Sequence, residues 1–171
     1  MSSDTSIWTV CFLSSLIVQR RASQAFDDII ASRLRELGFN VVRGSREINP
    51  TIGFADNERS NRLRYVDYFT GKSTVVELAN VYIASAEDVS LVHSLFSILT
   101  TIDDHVTQYV IVILTPESYW KGLLDWLKTT PMRKGMVNKE TLERITLLDD
   151  PESIVAHIMK EKEKNKTSAM A

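Results

Sequence analysis

The stretch NVYIASAEDVSLVHSLF, Asn80 to Phe96, decides the fold. Val81, Tyr82, Ile83 and Ala84 form a short apolar run of strand type, and from Val89 the apolar residues recur at helical spacing. Ser85, Ala86, Glu87 and Asp88 join the two. A strand-to-helix junction of this kind is where an open α/β sheet binds its ligand, and a phosphate there needs free backbone N–H groups and no adjacent carboxylate. This junction has no glycine and carries the carboxylates of Glu87 and Asp88. The scaffold is of nucleotide-binding type, but its turn opposes phosphate.

Working outward, the same alternation of strand and helix repeats. Thr9 to Leu13 suits a buried strand, and Ala22 to Leu37 sets Ala22, Phe26, Ile29, Ile30, Leu34 and Leu37 near helical spacing until Gly38 ends the helix. Phe39 to Val42 restarts as a strand, which gives a β-α-β unit with a crossover helix. Gly44, Asn49, Pro50 and Gly53 mark an irregular connection, and Asn61 to Leu78 reads as mostly helix with a break near Gly71. After the helix of Val89 to Leu99, Tyr109 to Leu114 is an unbroken apolar strand of the kind covered on both faces. Tyr119 to Leu127 is an apolar-faced helix, Lys139 to Arg144 a short one behind Asn138, and Ile145 to Leu148 the last strand. Asp149, Asp150 and Pro151 then open a terminal helix with a carboxylate cap and a first-turn proline.

The 171 residues, 44% hydrophobic and 25% charged, support one core, expected as a single domain over 1–160. Lys and Glu alternate from Lys160, so 161–171 reads as a flexible tail. The formal charge of -2 gives no basis for binding nucleic acid. Arg20 with Arg21, and Arg59, Arg62 and Arg64, read as solvated faces. No run approaches a membrane span, and the lone Cys11 in an apolar run reads as a buried thiol, so the protein is expected to be soluble and cytoplasmic.

Several residues carry a resemblance to a known family. Tyr119, Trp120, Lys121, Gly122, Leu123 and Leu124, then Gly135 and Met136, then Asp149, Asp150 and Pro151, resemble the closing segment of the LOG-like family, formerly labelled lysine decarboxylases. Phe12, Leu13, Ser14 and Ser15 resemble its first strand and turn, and Val41, Val42, Arg43 and Gly44 its second strand and glycine cluster. The studied members of that family are cytokinin-activating nucleoside 5'-monophosphate phosphoribohydrolases. The resemblance implies a three-layer α/β fold, a Rossmann-like parallel sheet with helices on both faces. That fold is reduced in its middle region, because Gly53 to Tyr68 is shorter than the family's counterpart.

The family's functional positions are altered throughout. Its proline, glycines, threonine and catalytic glutamate at the third strand-to-helix turn fall on Ala86, Glu87, Asp88, Ser90, Leu91 and Ser94. Its arginine-lysine pair falls on Gly71 and Lys72, so the lysine remains and the arginine does not. Breaking an N-glycosidic bond requires a carboxylate near the ribose and a cation with free N–H groups on the phosphate. Ser94 cannot supply that carboxylate. Glu87 and Asp88 sit where a phosphate would, and their interaction with a helix N-terminus lets them substitute for it. A catalytically inactive protein acting through binding or oligomeric assembly follows; the competing expectation is a divergent phosphoribohydrolase, or related N-glycosidic hydrolase, with a relocated site.

For that relocated site Glu77 is the candidate, with Lys72 and Arg64 as polar neighbours. Ser14, Ser15, Gly44, Lys72, Glu87 and Asp88 are the candidate ligand-binding residues, for a nucleotide or sugar phosphate. No cofactor is expected. His93, Asp103, Asp104 and His105 span a helix and its following turn, which gives no reason for convergence on a metal, and His157 reads as a surface imidazole. Tyr119, Trp120 and Trp126 share one helix, where Trp120 with Leu123, Leu124 and Leu127 has the spacing of a core face. The stripe of Val89, Val92, Leu95, Phe96 and Leu99 would support a homodimer, or pairing with a related LOG-like subunit.

Overall fold

Two apolar runs, Val81–Ser85 (β6) and Ile111–Thr115 (β7), are buried along their whole length and pair in parallel, Val81 opposite Ile111 and Ser85 opposite Thr115. The computed structural model describes residues 7–13, 24–43, 45–48, 62–66, 73–77, 79–86, 89–103 and 109–169. Around the central pair lie Thr9–Leu13 (β1), Asn40–Arg43 (β2) and Ile145–Leu147 (β8), completing a five-stranded parallel sheet in the order β2-β1-β6-β7-β8. The fold is α/β and Rossmann-like, as the strand-helix alternation predicts.

Side chains of each central strand alternate between two cores, because successive residues of a strand face opposite ways. Val10, Phe12, Val81, Ile83, Ile111 and Ile113 meet Gln24–Glu36 (α1) and Pro151–Ala169 (α5) on one face. Cys11, Leu13, Tyr82, Ala84, Val112 and Leu114 meet the other face, formed by Val89–Asp103 (α2), Glu117–Thr129 (α3) and Lys139–Glu143 (α4). Coverage of both faces explains why these strands read as continuous apolar runs.

Local signals set the helix ends. Gly38, with φ of 82°, follows α1, and the Phe39 N–H reaches the Leu34 carbonyl while Gly38 reaches that of Arg35. This paired bonding closes the helix C-terminus and seats Phe39 against Leu34 in the same core. Asp150 caps α5 by accepting bonds from the Ser153 N–H at 2.8 Å and hydroxyl at 2.9 Å. Asp149 serves a different helix: its Oδ1 accepts the Glu117 N–H of α3 at 2.5 Å.

Three features differ from the sequence reading. Asn61 to Leu78, expected as mostly helix, contains the strands Arg62–Val66 (β4) and Ser73–Glu77 (β5), which pair antiparallel with each other. Ser45–Ile48 (β3) pairs with β5, so the described residues in the middle of the chain build a separate three-stranded sheet, β3-β5-β4, and add no strand to the parallel one. The β-branched Thr74, Val75 and Val76 favour that choice. Second, residues 161–169, read as a tail, continue α5, with the Tyr109 hydroxyl bonded to Glu161 and the Lys162 Nζ 4.4 Å from the Phe39 ring centre. Third, the buried stripe of α1 is Asp27, Ile30, Ala31 and Leu34, while Ile29 and Leu37 face outward.

Candidate functional site

The order β2-β1-β6-β7-β8 reverses direction between β1 and β6, and ligands of open α/β sheets bind beyond the strand C-termini at such a reversal. Leu13 ends β1 there and Ser85 ends β6. Over this edge lies Asp27, in the first turn of α1 and only 8% exposed. Its Oδ1 accepts a hydrogen bond from the Ser85 hydroxyl at 2.8 Å. The next residue, Ala86, donates its N–H to the Thr115 carbonyl at 2.8 Å, and the Trp120 indole N–H reaches the same carbonyl at 3.1 Å. The described donors of the turn after β6 are therefore directed at protein acceptors.

Of the residues expected to form the site, Ser14, Ser15, Gly44, Gly71, Lys72, Glu87 and Asp88 lie outside the described residues. Ser94 falls in the second turn of α2, 8% exposed, on the stripe it shares with Leu91, Leu95 and Ile98. Glu77 is the last residue of β5, opposite Arg62 in the antiparallel sheet. The chain enters β6 at its N-terminal end after Glu77, with Asn80 tying that end to β1 and β7 through Thr9 and Ile111. Glu77 thus precedes the strand end opposite to the one that carries Ser85. Asp27 went unnoticed in the sequence, although its signal is legible: it occupies the first position of a stripe whose later members, Ile30, Ala31 and Leu34, are apolar and buried.

Asp103, another of the ionisable candidates, has structural partners. Asp103 at the end of α2 accepts the Asn138 N–H at 3.0 Å and the Thr141 hydroxyl at 2.6 Å, which fastens α4 to α2. Asp104 and His105 are outside the described residues, and His93 is exposed. Among the described residues no three His, Cys, Asp or Glu side chains gather as a metal site, and no helix is long and apolar enough to cross a membrane. Cys11 is fully buried.

At the N-terminal edge of the sheet lie two hollows of about 210 and 290 Å³ that share Glu140 and Arg144. Neither touches Asp27 or Ser85. The smaller holds Tyr109, whose phenol is pushed up to about 12 by burial and then by its bond to Glu161. His157, also there, lies 3.2 Å from the Thr146 hydroxyl, and burial holds its imidazole below the ordinary value. Both groups fasten α5 to the sheet, and they sit at the far end of it from the order reversal.

On the outer side of α2 and α3, Val89, Phe96, Tyr119 and Trp126 are exposed, while Leu91, Leu95, Trp120 and Leu124 of the same helices fill the core. The aromatic residues of α3 therefore divide: Trp120 packs inward and Trp126 faces outward.

No curated protein matches the chain at a significant level. The family model described as "Possible lysine decarboxylase" matches residues 27–158, from the first turn of α1 into α5. Since the match takes in well over half of the chain and ends within the elements that build the parallel sheet and its helices, this protein belongs to that family, the LOG family.

Proposed function

We propose that this chain keeps the LOG-family scaffold as a binding and assembly unit and does not hydrolyse nucleoside 5'-monophosphates. The reading is carried by Ser94, 8% exposed in the second turn of α2, which by the resemblance takes the position of the family's catalytic glutamate. A hydroxyl there supplies no negative charge to the oxocarbenium-like centre that forms as the N-glycosidic bond breaks. Assembly is supported by the exposed apolar side chains of α2 and α3, Val89 at 77% and Trp126 at 49%. A homodimer, or a heteromer with a related and active LOG-like subunit, would cover those side chains. The buried thiol of Cys11 suits a reducing, cytoplasmic setting.

The test incubates purified protein with a panel of nucleoside 5'-monophosphates and measures released base by chromatography, alongside the native mass. No enzyme-dependent release from an oligomeric protein is expected. Release that a Ser94 substitution abolishes would overturn the reading.

One observation favours a divergent hydrolase instead. Asp27 is a buried carboxyl group beside the order reversal, the kind of group a relocated site would need. Under that reading base release occurs and is lost in Asp27→Asn.

A further inference from the structure

The smaller hollow at the N-terminal edge of the sheet, about 210 Å³, is walled by the starts of β7 and β8, by α4 and by α5. Sites for drug-sized ligands run to roughly 300–1,000 Å³, so what fits here is compact. Most of its charges cancel within the protein. Glu161 accepts the Tyr109 hydroxyl and lies 3.8 Å from Lys164, and Glu143 lies 3.3 Å from Lys139. Tyr109 and His157 add no charge near neutral pH, since the phenol is raised to about 12 and the imidazole is held below its ordinary value, in both cases chiefly by burial. Arg144 and Glu140 remain. Both line the hollow, and among the described residues no hydrogen bond or ion pair engages either side chain. They stand four positions apart, the spacing of helical neighbours, yet they do not pair with each other.

The Arg144 guanidinium is nevertheless held in place. Its carbon lies 5.8 Å over the Tyr109 ring, and that ring stands 6.0 Å from the ring of buried Trp8. A cation over an aromatic face is positioned without spending its N–H donors, so the guanidinium fork stays open to a planar carboxylate, the partner it matches best. A bare anion there meets the carboxylates of Glu140, Glu143 and Glu161 around it and is repelled. A ligand that carries an ammonium group beside its carboxylate meets Glu140 favourably instead.

We infer that this hollow binds a small α-amino acid as its zwitterion, with the carboxylate on Arg144 and the ammonium on Glu140. The site lies at the opposite end of the sheet from the order reversal, so the inference stands independently of the assembly reading.

Titrating alanine, propionate and ethylamine into the isotope-labelled full chain, and following amide chemical shifts, tests this directly. Alanine carries both charges and the other two carry one each. A ligand of so few atoms is expected to bind with Kd of about millimolar, shifting the amides of Glu140, Arg144 and Thr146. Propionate and ethylamine are each expected to bind at least about tenfold more weakly. Arg144→Gln should weaken alanine by about tenfold or more, whereas Glu140→Gln should weaken alanine and strengthen propionate, a pair of opposite changes that a loss of structure does not produce. Propionate binding as tightly as alanine overturns the inference, because the hollow is then a simple anion site. Absence of alanine binding overturns it, as do shifts that persist unchanged in both variants. None of these outcomes bears on whether the protein assembles or hydrolyses nucleotides.

Discussion

Ser85, the last residue of β6, donates its hydroxyl to Asp27 of α1 at 2.8 Å across 58 positions of sequence. The pair joins β6, one of the two strands that flank the reversal of strand order, to α1, the helix that follows the other, and both residues are buried. Either Asp27→Ala or Ser85→Ala removes this buried hydrogen bond, at a cost of about 1–3 kcal/mol in unfolding free energy. Asp27→Asn, whose amide oxygen accepts the same bond, restores most of it. Urea unfolding measures all three; unchanged midpoints would mean that the bond adds nothing to the fold.

The two tryptophans of α3 are expected to behave differently. Trp120 is fully buried and bonded to the Thr115 carbonyl, so Trp120→Ala opens a core cavity and costs about 3–5 kcal/mol. Trp126 is half exposed, and Trp126→Ala changes the stability of a monomer by no more than about 0.5 kcal/mol. If the outer side of α2 and α3 is the assembly surface, Trp126→Ala also shifts the native mass toward the monomer. Equal losses of stability in the two variants would contradict this division of the helix.

His157 gives the fold a dependence on mildly acidic pH. Burial, opposed by Glu161 and aided by Lys160 and Lys164, holds its imidazole below the ordinary 6.5. As pH falls below 6.5 the unfolded chain takes up this proton before the folded one, so stability decreases in that direction. Above that range the residue contributes no slope. His157→Gln keeps a polar group beside the Thr146 hydroxyl, and its melting temperature should fall less on acidification than that of the unmodified protein. Parallel profiles for the two proteins would exclude His157 as the source.

Tyr109 sets the alkaline limit in the same region. Its phenol, raised from 10.0 to about 12, remains protonated in the folded chain while an unfolded chain would already ionise. Stability from this residue is complete below the ordinary phenol value and is lost as pH rises toward the folded one. Following phenolate absorbance in native protein, Tyr109→Phe should delete a late-titrating component. A profile that loses only an ordinary component would show that the bond to Glu161 does not hold the proton.

Much of this fold was legible in the chain. Residues 81–85 and 111–115 read as strands because their apolar runs are short and rich in β-branched residues, which suits a strand covered on both faces. Gly38 and Asp150 mark helix ends because their roles depend on backbone within a few residues. The region Asn61 to Leu78 was not legible in the same way: strands β4 and β5 are stabilised by each other and by β3, partners that a local period does not reveal. In α1 the stripe chosen for its hydrophobicity included Ile29 and Leu37, both exposed, and passed over Asp27, which is buried.

The sequence by itself determined the class of the fold and the family, since each depends on residue type and order. Which strands become neighbours, and hence that Asp27 comes to lie on Ser85, only the tertiary structure decided. A hydrogen bond between groups 58 residues apart forms because the sheet and α1 bring them together, and no local preference of either residue encodes it.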